Sequence, residues 1–275
     1  MNGYALENTQ EADRLEKQSS TLAYSITDDL QCFDISFSNR DLCLDAGCGT
    51  GVLTREIALL AQHQNKKINI TGIDTSPQLL REARKEVIQR HMSEYIHFYQ
   101  HSINAARPIN SILYHKVFCR YVLQHLPNKK LRIKAIKNLL NYTRPKGELY
   151  LIDSFGVLTH IDINNEWITK MANLLNQKSP IDLDVGLKLR GYLLDLGIAP
   201  KNIFLKTLPL TFQDFESRQK ESLNWTQRLW HARPLIDTLL GVVQSKKFCQ
   251  EFPKIFLDER TLALAQKVLI KVIKT

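Results

Sequence analysis

The chain has no apolar run long enough to cross a bilayer, and its polar first residues do not read as a secretory leader. Five cysteines, Cys32, Cys43, Cys48, Cys119 and Cys249, form no C-x-x-C pair, which removes the usual zinc and dithiol redox patterns. Isolated thiols in or beside apolar runs fit a reducing compartment, so a cytoplasmic location is the expectation. His97 and His101 stand four apart without a third ligand, and no metal is expected. Internal repeats and low-complexity segments are missing too, which sets aside solenoids and disordered tails.

What is present supports a sizeable core: 275 residues, 44% of them hydrophobic, are enough for one domain with or without an appended lobe. The net charge of +9 raises the question of a nucleic-acid partner. The basic residues are dispersed, however, with short pairs only at Lys66-Lys67, Lys129-Lys130 and Lys246-Lys247. Solvated faces account for that pattern, and neither nucleic acid nor a membrane is the expected partner. The composition leaves the oligomeric state open.

The most informative stretch is Leu42-Cys43-Leu44-Asp45-Ala46-Gly47-Cys48-Gly49-Thr50-Gly51. It predicts a buried strand, an acidic residue, and a glycine turn opening a helix. Asp74 follows at the end of a second apolar strand, Ile68 to Ile73. Glycines that admit a ligand to the backbone, with a carboxylate on the next strand for ribose hydroxyls, make a nucleotide-type site. The glycines run G-x-G-x-G, unlike the G-x-G-x-x-G of dinucleotide binders. Asp45 would also repel a pyrophosphate seated at the helix N-terminus. A ligand with an ammonium, a sulfonium and a ribose suits these residues, and S-adenosylmethionine has all three.

Here the chain resembles the class I S-adenosylmethionine-dependent methyltransferases, in their small-molecule branch. Leu44 to Gly51 resembles that family's first motif and Gly72-Ile73-Asp74-Thr75-Ser76-Pro77 its second. Phe98-Tyr99-Gln100-His101-Ser102-Ile103 falls where the adenine segment belongs. Val117 to Leu126 resembles the fourth strand with its turn, and Arg144 to Asp153 the entry into the fifth. The resemblance covers roughly residues 2–210 and the last ten. Two positions depart from the pattern: Ser102 stands where the family usually has an acid or amide, and His115 where the fourth strand often begins with an acid.

The resemblance implies an α/β fold: a Rossmann-like, seven-stranded, mostly parallel sheet with helices on both faces, an N-terminal cap helix, and a helical insertion before the last strand. Periodicity agrees with it. Strands are predicted at 42–46, 68–73, 95–99, 113–119, 148–153, 202–210 and 266–274. Helices are predicted at 52–62, 77–90, near 103, 129–142, 165–177 and 186–196. Glu11, Arg14, Leu15 and Gln18 share one face of a helical pattern within 7–31. The expected divisions are 1–37 as the cap, 38–210 as the cofactor-binding core, 211–265 as a helical insertion or lid, and 266–275 as the final strand.

By the same resemblance, S-adenosylmethionine would be held by Asp45, Gly47, Cys48, Gly49, Gly51, Asp74, Thr75, Leu79, Ser102, Ile103, Cys119, Arg120 and Gln18. Asp74 would take the ribose hydroxyls and Asp45 would orient the amino group. Methyl transfer is an in-line displacement from a sulfonium, so alignment in a dry site matters most. A base is needed only for a protonated acceptor, and His125, His160 and His231 are the candidates. Trp225, Trp230, Trp167 and Phe155 would wall the pocket of a small organic acceptor. The turn after strand four lacks the Asn/Asp-Pro-Pro-aromatic tetrad, and Cys119 precedes Arg instead of following Pro. The alternatives are an RNA or protein methyltransferase, favoured by the charge, and a non-catalytic S-adenosylmethionine-binding protein that acts through partners.

Overall fold

The computed structural model describes residues 25–106, 109, 111–210, 214–262 and 265–275. Gln18 and the rest of the pattern before residue 25 lie outside them. Seven strands form one sheet: β1 (Leu42–Ala46), β2 (Asn69–Asp74), β3 (Ile96–Gln100), β4 (Tyr114–Arg120), β5 (Thr143–Phe155), β6 (Ile203–Leu210) and β7 (Ala265–Ile273). Their order is β3-β2-β1-β4-β5-β7-β6. Pairing is parallel from β3 across to β5, and β7 runs antiparallel to both β5 and β6. Strand order reverses between β1 and β4, which opens a crevice at the carboxyl ends of those strands.

The helices are α1 (Ile26–Gln31), α2 (Val52–His63), α3 (Pro77–Gln89), α4 (Lys129–Tyr142), α5 (Glu166–Lys178), α6 (Leu189–Asp195), α7 (Phe215–His231), α8 (Arg233–Leu240) and α9 (Val242–Glu251). Central strands are apolar on both sides because both faces are covered. Tyr150 and Ile152 of β5 join a core with Ile26, Ile57 and Leu80 from α1, α2 and α3. Leu149 and Leu151 face the other way, onto Ile136 and Leu193 of α4 and α6. A third cluster unites Met171 and Leu175 of α5 with Trp225, Ile236, Phe248, Phe252 and Phe256. The helices between β6 and β7 therefore have a core of their own, shared with α5.

Local chemistry explains the boundaries. Ser76 caps α3, its hydroxyl accepting from the Leu79 amide, and Pro77 occupies the first turn. Asn128, Asn165 and Asp214 cap α4, α5 and α7 in the same way. Three expectations change. Residues 103–104 form a turn, not a helix. β5 begins at Thr143, with a register shift against β4 that absorbs the Pro145-Lys146-Gly147 turn. The segment from 186 is a tight helical turn (Val185–Lys188) leading into α6. Among the described residues no helix is long and apolar enough to cross a membrane.

Candidate active site

The glycine turn is built by backbone that side chains rarely tolerate. Gly47, Gly49 and Gly51 have φ of +80°, +53° and +77°, the left-handed region that glycine adopts without penalty. The amides of Gly47 and Cys48 donate to the Ile73 carbonyl at 2.7 and 3.0 Å, tying the turn to β2. Space is equally restrictive: a Cβ on Gly47 would lie 2.2 Å from Val122 Cγ2, and one on Gly51 2.8 Å from Phe98 Cζ. The turn after β4 thus presses directly on the glycine turn. Val122 and Phe98 were not anticipated from sequence; both stand in ordinary apolar patterns that carry no mark of that role.

Asp74 sits at the end of β2. Its Oδ2 accepts from the Gly49 amide at 2.9 Å and its Oδ1 from the Ser76 amide at 2.9 Å. The carboxylate is therefore fixed between the glycine turn and the start of α3. A carboxylate offers about four acceptor positions, so two amide bonds are compatible with two ribose hydroxyls. Thr75 beside it is exposed, and its carbonyl accepts from Gln100 Nε2 at 3.1 Å. Leu79 is buried one turn into α3.

Asp45 lies beneath the turn, fully buried, and Thr54 Oγ1 donates to it at 2.6 Å. Burial pushes its carboxyl up to about 7, opposed by the Thr54 hydrogen bond and reinforced by the negative charge of Asp74. An approaching ammonium would draw it back toward the ionised form.

At the end of β3 the His101 amide donates to the Asp74 carbonyl at 2.9 Å. Ser102 Oγ accepts from the Asn104 amide at 3.1 Å, and Asn138 Nδ2 holds the carbonyls of Ile103 and Ala105. Ser102 and Ile103 therefore stand in a pinned turn next to Asp74. The departure at His115 falls elsewhere. It lies at the opposite end of the sheet, where its Nδ1 accepts from the Leu42 amide at 3.0 Å, as its place at the start of a parallel strand implies.

The thiol of Cys119 is buried in the core between α4 and the sheet. Arg120 reaches the other face. Its Nε donates to Asp29 Oδ2 at 2.8 Å, and Lys267 Nζ lies 2.5 Å from Asp29 Oδ1. Asp29 and Lys267 are fully buried. One carboxylate on α1 thus joins two cations on β4 and β7. Sequence reading missed Asp29 and Lys267, although a lysine inside a strand apolar on both faces is itself a signal that an acid must meet it. Tyr121 follows with φ +55°, its ring 4.5 Å from the Arg120 guanidinium, and its carbonyl accepts from Gln124 Nε2. That strained residue turns the chain so that Val122 meets Gly47.

Asp153, at the carboxyl end of β5, is buried and pushed up to about 8 by desolvation. The histidines are dispersed. His125 closes the short helical turn after β4, beside Gln124. His160 is exposed and packs against Gly156 and Phe155. His231 ends α7. Trp225 is buried against Phe252 and Phe256, whereas Trp230 is exposed.

A mostly parallel sheet with its reversal at β1 and β4, a left-handed triple-glycine turn and a carboxylate on β2 define a Rossmann-like domain of the class I S-adenosylmethionine-dependent methyltransferases. The family described as a methyltransferase domain matches residues 37–182, just over half of the chain, and the protein belongs to it. A ubiquinone biosynthesis O-methyltransferase from Pectobacterium atrosepticum is 26% identical over 107 residues, which is 39% of this chain and 40% of that protein. The match spans about two fifths of the length of such relatives. Phosphoethanolamine N-methyltransferase 2 from Haemonchus contortus, solved with S-adenosyl-L-methionine, superposes with a TM-score of 0.61 at 13% identity, over 100% of this chain and 60% of that one. The cyclase SpnF superposes at 0.55 with 15% identity, covering 99% and 85%. At such identities these structures speak for the fold, which serves more than one chemistry.

Proposed function

We propose that the protein transfers a methyl group from S-adenosylmethionine to a small organic acceptor by in-line displacement. The observation that carries this reading is Asp74, clamped by the Gly49 and Ser76 amides beside a turn that has no room for a Cβ at Gly47 or Gly51. Asp74 takes the ribose. Gly47, Cys48, Gly49 and Gly51 give the methionine moiety access to the backbone, and Asp45 supplies negative charge beneath its ammonium. Thr75, Leu79, Ser102 and Ile103 surround the adenine, and the backbone of Cys119 and Arg120 borders the methyl end. Gln18 or Arg14, both outside the described residues, would meet the methionine carboxylate.

When bound, S-adenosylmethionine supplies an activated methyl on a good leaving group. The chain's own contribution is to align the acceptor and exclude water. Tyr121 and Val122 fix the wall of the crevice against Gly47, and residues 211–265 act as a lid over the acceptor. An oxygen nucleophile is supported by the relative named as an O-methyltransferase. For a hydroxyl acceptor, His125 is the base nearest the turn after β4.

Calorimetry tests the first half: S-adenosylmethionine and its demethylated product bind and NAD does not. Heat with NAD alone would overturn it. Transfer of labelled methyl to a panel of phenols and amines tests the second half. The basic charge favours an RNA methyltransferase as a second reading, which predicts steeply salt-dependent RNA binding. A protein that binds the cofactor but methylates nothing would be the silent, partner-directed form.

A further inference from the structure

Large apolar side chains at the surface are mostly scattered singly, as in any folded chain. One group is different. Gly241, at φ +82°, breaks the chain sharply between α8 and α9. The two residues that follow, Val242 and Val243, are 65% and 79% exposed. Trp230, at the end of α7, is 43% exposed and belongs to the same corner. Arg233 knits them together: its guanidinium lies 5.2 Å from the Trp230 ring, its Nη2 donates to the Val242 carbonyl at 3.1 Å, and its Nε donates to Asp237 at 2.5 Å. A rigid corner therefore presents two adjacent valines and an indole to solvent.

The charge along this stretch of chain is one-sided. Residues 228–247 contain Arg228, Arg233, Lys246 and Lys247 against the single acid Asp237. Lys246 and Lys247 are exposed one turn behind the valines. Three apolar side chains are far fewer than the roughly 20–30 residues a side that a stable protein interface uses. A fluid surface can close around them. Aliphatic side chains at the tip, an indole at the level of polar groups and lysines behind are what an anionic lipid interface accommodates.

We infer that the α8–α9 corner docks on an anionic lipid bilayer surface, with Val242, Val243 and Trp230 entering the interface and Lys246 and Lys247 meeting the headgroups. Such contact requires no spanning helix, and it goes beyond the methyl-transfer reading without depending on it.

Co-sedimentation of the full chain with phosphatidylcholine vesicles, with and without phosphatidylglycerol, provides the test. The chain should sediment with the anionic vesicles, less so at high salt, and much less with neutral ones. The double variant Val242→Ser with Val243→Ser should bind roughly tenfold more weakly, since two aliphatic side chains stay in water. Lys246→Gln with Lys247→Gln should cost on the order of tenfold or more. Both pairs are exposed, so an unchanged melting temperature will certify the fold. Tryptophan emission should shift to the blue on binding in the parent and not in Trp230→Phe. The inference fails if the parent ignores anionic vesicles, or if the serine variant binds them equally well. It also fails if sedimentation velocity shows the serine variant dissociating a dimer, which would make the corner a contact between copies.

Discussion

The carboxyl ends of β1, β2 and β4 and the helices between β6 and β7 bury charge in opposite ways. Around the strand ends the acids have assigned neighbours: buried Asp45 has Thr54, half-buried Asp74 has the Gly49 and Ser76 amides, and buried Asp29 of α1 has Arg120 and Lys267. In the helical segment Glu221 is buried in α7 beside Asn224 and Trp225, and desolvation pushes it up to about 7. The first region uses polar groups to hold a backbone shape. The second carries an acid in an aromatic core that satisfies it only weakly, with an Asn224 contact of 3.4 Å.

The contrast can be broken most severely at Asp29. Asp29→Ala leaves two cations buried without their acid, and urea unfolding should show a loss of about 3–5 kcal/mol. Gly47→Ala combines a left-handed φ with the Val122 clash. Calorimetry with S-adenosylhomocysteine should register a loss of about 100-fold or more, from roughly 3 kcal/mol of strain and overpacking. Adding Val122→Ala should restore part of it. Asp74→Ala should weaken the same ligand at least about tenfold, as charge-assisted bonds are worth about 1.5–3 kcal/mol.

Two neutral variants sharpen the comparison. Asp45 and Glu221 both have folded values near 7, above their ordinary 3.8 and 4.5. The folded protein therefore holds more protons than the unfolded chain between those limits, and stability falls as pH rises through that window. Glu221→Gln and Asp45→Asn should each flatten that decline in thermal melts recorded from pH 4 to pH 8. Only Asp45→Asn should also remove the rise in S-adenosylmethionine affinity with pH through about 7, because the proposed site sets an ammonium over Asp45 and none over Glu221. If Glu221→Gln altered cofactor affinity equally, the two regions would not differ in the way described.

Much of the first region was legible because its signals are local. An apolar strand ending in Asp45, three glycines within five residues and Pro77 after Ser76 fix their own geometry through sterics and capping. β1, β4 and α4 accordingly fall within one residue of their predicted limits. What sequence could not supply was side-chain convergence from distant positions. Asp29 meets an arginine 91 residues away, and nothing in either local pattern names the other. His115 departs from the family pattern at the start of β4, and in a parallel sheet that position already sets it at the end away from the glycine turn. The turn at 103–104 was mistaken for a helix because Ile103, flanked by Asn104 and two alanines, has helix-like composition. Its hydrogen bonds instead go to Asn138 and Ser102.

The placement of β7 between β5 and β6 has a consequence for assembly. Among the described strands, β6 has no hydrogen-bonded neighbour except β7. β6 is therefore joined to the rest of the sheet through residues 265–273. The same strand delivers Lys267 to Asp29 and so locks α1 in place. Closure of the sheet and seating of its first described helix therefore rest on the same strand, through pairings that are long-range in sequence.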